Sequence, residues 1–189
     1  LEMRDAEFGK WRQTEWQGFY FEYKVCAALI NEIGGGPKKV LNTTFDYALT
    51  SPWDLKVHSR IGLHLRQSWS AQLNDKRAIM KAVDETGLGF IVLSGIPTYD
   101  EDFTIWHKKL RGSAGDTFGR LLKKNFVSER VDFFFIRDQH QLKIALRDDL
   151  LADFRQGRQP NGSPRKIKLS LNLDRAFGSD MHIGSHNFI

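Results

Sequence analysis

Apolar residues recur at spacings of three and four from Thr14 to Ile33, where Phe19, Tyr23, Cys26, Ile30 and Ile33 fall along one side. That period predicts an amphipathic helix, and Gly34-Gly35-Gly36-Pro37 stops it. The rhythm then changes to two. Between Val40 and Leu49, Leu41, Thr43, Phe45, Tyr47 and Leu49 point one way and Asn42, Thr44, Asp46 and Ala48 the other, as in a strand. Thr50-Ser51-Pro52 is a turn signal, Trp53 to His58 the returning strand, and Ile61 to Arg66 a third extended piece.

Asn74-Asp75 can cap a helix running to Thr86 that buries Ile79, Met80 and Val83. Leu88 to Ser94 is a continuous apolar run, the mark of a strand covered on both faces, and Val131 to Ile136 reads the same way. Between them stand two short helices, Glu101 to Leu110 and Gly115 to Lys124, separated by Gly112-Ser113. A helix from Gln139 to Phe154, a polar loop from Gly157 to Pro164 and a strand from Lys166 to Asn172 follow, and the tail from Gly178 reads as irregular. This order predicts one domain over residues 1–189 of the α/β (α+β mixed) class, a central mixed sheet flanked by helices.

Composition narrows the class. The chain is 41% apolar and 27% charged, which belongs to a soluble globular protein, and 189 residues bury a core without staples. The lone Cys26 excludes an internal disulfide and reads as inert core. No apolar run approaches the roughly 20 residues that span a bilayer, and no signal-peptide pattern precedes the first helix. An intracellular, cytoplasmic, prokaryotic-like protein with no membrane partner is expected.

Charge divides the chain. Residues 1–102 carry 12 Lys+Arg against 14 Asp+Glu, and residues 103–175 carry 16 against 8. A near-neutral half thus adjoins a basic one. A surface for a polyanion produces that split, and so does a solvated face rich in Lys and Arg.

The hairpin raises a sharper question. Asp54, Lys56 and His58 share one side of their strand, while Leu55 and Val57 share the other. Asp46 precedes Asp54 across the turn, so the two carboxylates can approach on the polar side. Either this is a solvated edge with a local ion pair, or it is a site for a divalent metal. Paired carboxylates repel and raise each other's pKa unless a cation lies between them. Mg²⁺ takes one or two carboxylates together with water and a substrate phosphate. A Lys beside it can orient or deprotonate the attacking water, or offset charge on the phosphate. On the first helix, Glu22 lies about 60° from the axis of the apolar side, at its margin, and can supply a third acid. Glu15 occupies a similar sector earlier in the helix, and Glu32 points away.

Other motifs carry less. Glu22-Tyr23-Lys24 is Glu-x-Lys on a helix, where the two side chains diverge by about 200°. His182 and His186 have a zinc-compatible spacing without a neighbouring Cys or acid cluster. Gly112-Ser113-Ala114-Gly115 lacks the Lys-Ser/Thr of a phosphate loop.

A helix bearing Glu22, a hairpin bearing Asp46, Asp54, Leu55 and Lys56, then a helix and a buried strand resembles the PD-(D/E)xK nuclease superfamily, the restriction endonuclease-like fold. The likeness covers Gln13 to Ser94, with residues 13–95 as the catalytic core and 96–175 as a basic half with recognition elements. It departs at Phe45, where a proline often stands, and at Asp54, where Glu is commoner. The resemblance implies that Asp46 and Asp54 hold Mg²⁺, that Lys56 assists the water and that Glu22 supports the metal site.

DNA contacts are expected from Arg155, Arg158, Gln159, Asn161, Arg165, Lys166 and Lys168, which mix the side chains suited to guanine and adenine edges. Lys123 and Lys124, with Lys108, Lys109, Arg111 and Arg120, form a second basic group for phosphates; His58 can touch a phosphate from the hairpin. One metal site per chain implies a two-fold homodimer on double-stranded DNA. The expectation is therefore a Mg²⁺-dependent, sequence-specific DNA endonuclease. A repair nuclease or Holliday junction resolvase of the same fold, or a non-catalytic nucleic-acid-binding domain, stays open.

Overall fold

The computed structural model describes residues 2–8, 15–61, 67–110, 122–159 and 161–188, with the backbone alone over 107–110. In chain order the elements are α1 (Glu2–Asp5), α2 (Trp16–Ile33), β1 (Gly36–Val40), β2 (Thr43–Ala48), β3 (Pro52–Ser59), β4 (Ser70–Asp75) and α3 (Lys76–Thr86). Then come β5 (Leu88–Tyr99), α4 (Glu101–Leu110), β6 (Lys123–Ile136), α5 (Gln139–Arg147), β7 (Leu151–Phe154), β8 (Lys168–Asn172), α6 (Leu173–Ala176) and β9 (His182–Asn187). Six strands form the main sheet in the order β1-β2-β3-β5-β6-β9, and β4-β8-β7 form a second, three-stranded sheet. Only β3 and β5 run parallel; the other pairings are antiparallel, so the main sheet is mixed. The α+β class read from the element order is the class observed.

Strand alternation divides the apolar residues between the two faces of the main sheet. On one face Leu55, Ile91, Leu93 and Val131 pack with Phe21, Val25 and Cys26 of α2. On the other, Phe90, Val92 and Phe134 join Ile79 and Val83 of α3, Leu142 of α5 and Leu73, Leu151, Leu169 and Leu171 of the small sheet. Fully burying side chains such as Phe45, Phe90 and Phe134 gains about 1.5–3 kcal/mol each. At the Trp53↔Gly89 pair the indole lies directly over Gly89, so any side chain there would fall inside the ring. Helix α2 is fixed at both ends: Trp16 Nε1 donates to Lys123 O at 2.6 Å, and the Tyr47 hydroxyl donates to Gly34 O at 2.9 Å. Among the described residues no helix is long and apolar enough to cross a membrane.

Several elements differ from the pattern reading. The strand expected from Val40 to Leu49 begins only at Thr43, because Leu41, at φ 54°, turns the chain between it and β1, an unforeseen strand over Gly36–Val40. The helix from Gln139 stops at Arg147: Asp149 adopts φ 56°, and Leu151 enters the core on β7. Lys123 and Lys124, assigned to a helix, begin β6, which pairs with β5 as far out as Tyr99↔Lys123. The tail read as irregular contains β9, whose polar residues pair with β6 through backbone bonds that need no apolar alternation. The small sheet was not foreseen; in β4 only Ala71 and Leu73 mark the buried side. The extended piece expected over 61–66 and the helix expected over 115–124 fall largely outside the described residues, as do the side chains of Lys108, Lys109, Arg111 and Arg120.

Candidate active site

The hairpin opens at Asp46. Strands β2 and β3 pair through Tyr47↔Trp53 and Ala48↔Pro52. Further along β3 a side chain takes over, and Leu55 N–H donates to Asp46 Oδ2 at 2.7 Å. The Cys26 thiol meets Asp46 O at 3.4 Å, tying this point to α2.

Asp54 is wholly buried, at 0% exposure. Its Oδ1 accepts from Asn74 Nδ2 at 2.9 Å, and the Lys56 ammonium stands 2.8 Å from Oδ2 while also donating to Leu55 O at 3.2 Å. The ion pair at Oδ2 is poorly aligned for a hydrogen bond, and among the described residues that oxygen receives no other. Burial pushes the Asp54 carboxyl up to about 6; Lys56 pulls it down and Asp46 pushes it up again. For Lys56 burial acts to lower the pKa, yet the charges of Asp54, Asp46 and Glu22 outweigh it and hold the ammonium above its ordinary value. The solvated-edge reading fails: β3 lies inside the sheet, and its acid has no access to water.

Glu22 is half-buried on α2, and its charge is felt at Lys56. Among the described residues no three acid, His or Cys side chains gather tightly enough to cage an ion alone. Asp46 and Asp54 supply two carboxylates, the number that a Mg²⁺ site commonly takes from a protein when water and a phosphate supply the rest. Glu15, the reserve candidate, is engaged elsewhere, with Lys123 Nζ 3.1 Å from its carboxylate.

In-register neighbours share a face, so the site continues as rows across the sheet. Lys56, Val92, Asp132 and Ser185 form one row; His58, Ser94, Arg130 and Asn187 form the next. His58, expected to touch a phosphate from the hairpin, is only 4% exposed, because its side of β3 faces into the protein. Asp132 went unnoticed, although an acid within VDFFFI already signals a buried charge. It is fully buried, with Arg130 Nε 2.9 Å from Oδ2 and His182 Nε2 3.6 Å from Oδ1. Asn74 was read only as a cap, a role that Asp75 fills by accepting from Arg77 N–H.

Arg155, Arg158, Gln159, Asn161, Arg165 and Lys166 are exposed, and Lys168 is half-buried on β8. The loop folds on itself: Arg158 Nη1 donates to Gly162 O, and Asn161 Oδ1 accepts from Ser163. Its Arg165 and Lys166 border a groove of about 630 Å³ with Asn42, Asp75, Lys76 and Arg77, next in chain to Asn74. Lys124 is exposed, whereas Lys123 is occupied by Glu15. Compared with protein-family models, curated proteins and solved structures, the chain matches none.

Proposed function

We propose that the protein is a Mg²⁺-dependent endonuclease that hydrolyses phosphodiester bonds in double-stranded DNA at specific sequences, in the manner of restriction enzymes. The observation that carries this reading is the wholly buried Asp54 carboxylate, with Asp46 converging on it and Lys56 2.8 Å from its Oδ2. An ionised acid in such a place is expensive unless a cation meets it. One ammonium serves three acids here, which leaves an excess of negative charge for a divalent ion. Helix α2, hairpin β2–β3, helix α3 and buried strand β5 also follow in the order that the PD-(D/E)xK resemblance requires.

Asp46 and Asp54 would hold the metal, which when bound supplies Lewis acidity toward the phosphate and its attacking water. Lys56 is an ammonium, held so by its acidic neighbours; it acts as a donor to water or a phosphate oxygen, not as a base. Glu22 adds a smaller negative charge from α2 and would support the metal site from there. The exposed loop 155–166 and the basic groove beside α3 supply phosphate and base contacts, and two copies in two-fold symmetry would cut both strands.

The test is incubation of the protein with varied plasmid DNA. Discrete fragments with Mg²⁺ and none with Ca²⁺ are expected, and Asp54→Ala should lose cleavage while retaining DNA binding. DNA binding with no metal-dependent cleavage in the unaltered protein would leave a non-catalytic DNA-binding domain instead.

A further inference from the structure

Beyond Lys56 the face of β3 leads into a cavity. Its next residue on that face, His58, lines a space of about 480 Å³ with Arg60, Trp69, Ser94, Glu129, Arg130, Leu173 and Asn187. That volume lies within the range of small-ligand sites, about 300–1,000 Å³. Two residues of strand separate it from Lys56, about 7 Å.

The wall is built rather than incidental. His58 and Ser94 are each 4% exposed, and the His58 Nδ1 and Ser94 Oγ lie 3.5 Å apart. The other ring nitrogen, Nε2, is buried, and the Ser68 backbone also lies within reach of the imidazole. Burial, and then Arg60, push the His58 pKa down to about 4, so the imidazole is neutral and both donates and accepts. Trp69 exposes 41% of its surface, with the Arg60 guanidinium 5.8 Å from its ring centre. Its backbone is anchored where Leu173 N–H donates to Trp69 O at 2.7 Å. Asn187 stands opposite Arg130 at the end of β9.

The charges identify the ligand class. Arg60 is paired with Glu129 at 2.9 Å and Arg130 with Asp132 at 2.9 Å. The cavity is therefore not a bare cationic trap for phosphate. It offers an indole plane, an apolar floor at Leu173 and uncharged donors and acceptors at His58, Ser94 and Asn187, the chemistry that stacks a heterocyclic base and reads its edge. We infer that this cavity is a nucleoside pocket, which takes one unstacked nucleotide of the strand bound at Asp46 and Asp54. Its position relative to the cut rests on the nuclease reading; its ligand class does not.

The test is calorimetric titration of the full chain, in Ca²⁺, with dAMP, dGMP, dCMP, TMP and inorganic phosphate in turn. At least one nucleotide should bind about tenfold or more tightly than phosphate. Trp69→Ala should weaken that binding about tenfold, Trp69→Phe should restore most of it, and Asn187→Ala should change the order of preference among the four bases. Nucleotides that bind no better than phosphate, or binding indifferent to Trp69→Ala, overturn the pocket even if Mg²⁺-dependent cleavage is found. Nucleotide binding as described, in a protein that does not cleave DNA with Mg²⁺, overturns the nuclease reading and leaves the pocket.

Discussion

Two aspartates are wholly buried on the same face of the main sheet, two strands apart, and their surroundings differ in sign. Asp132 lies 2.9 Å from the Arg130 guanidinium, with His182 at its other oxygen, and the guanidinium is backed by the Phe177 ring at 4.6 Å. One cation, the Arg130 guanidinium, meets its charge, and no second acid crowds it among these contacts. Asp54 has Lys56 at 2.8 Å, but the same ammonium also feels the charges of Asp46 and Glu22. Burial alone therefore does not mark a functional acid; the local balance of charge does. On the proposed nuclease reading, a buried acid matched by a base is part of the frame, whereas one beside further acids is the candidate to hold an ion.

That contrast can be broken experimentally, most forcefully through cleavage. Asp54→Ala should lower Mg²⁺-dependent cleavage by a factor on the order of 10³ or more, measured on plasmid DNA, while Asp132→Asn should leave the metal dependence intact. The second effect is on stability. Asp132→Asn removes the partner of the partly exposed Arg130 and should cost about 1–3 kcal/mol in urea unfolding.

The third effect is on pH. The folded Asp54 pKa, about 6, lies above the ordinary 3.8, so the fold favours its protonated form. Its contribution to stability is full below 3.8 and is lost as pH rises through about 6. Mg²⁺ binds the ionised form, so the rise in melting temperature on adding Mg²⁺ should be present at about pH 7.5 and vanish by about pH 5, and Asp132→Asn should keep that profile. A Mg²⁺ response independent of pH would contradict the assignment. The smallest effect belongs to the exposed loop. Arg165→Ala should weaken DNA binding severalfold and reduce the salt slope by about 1.

What could be read from the sequence follows the same physics. Helix α2, helix α3 with its Asp75 cap, the buried runs of β5 and β6 and the polar side of β3 each carry a strong local period or terminator. They were legible for that reason, and so was the meeting of Asp46, Asp54 and Lys56. Strand β9 and the small sheet were not, because their signal lies in pairing with distant partners: His186 with Val131, Ser70 with Asn172. The same limit hid Asn74, whose contact with Asp54 spans two elements. It also hid that His58, expected to touch a phosphate, stands in a wall of the interior, since alternation tells which residues share a side but not which side is covered.

Helix α2 behaves as a bar bolted at both ends. One bolt is the bond from Trp16 to Lys123 at the root of β6, and the other is the bond from Tyr47 to Gly34 on β2. Glu22 rides between them, so its angle toward Lys56 is set by two strands at once, and the bar cannot roll without shearing one fastening. A molecule that grips and bends the long β5–β6 arm therefore also turns the acid behind the ammonium.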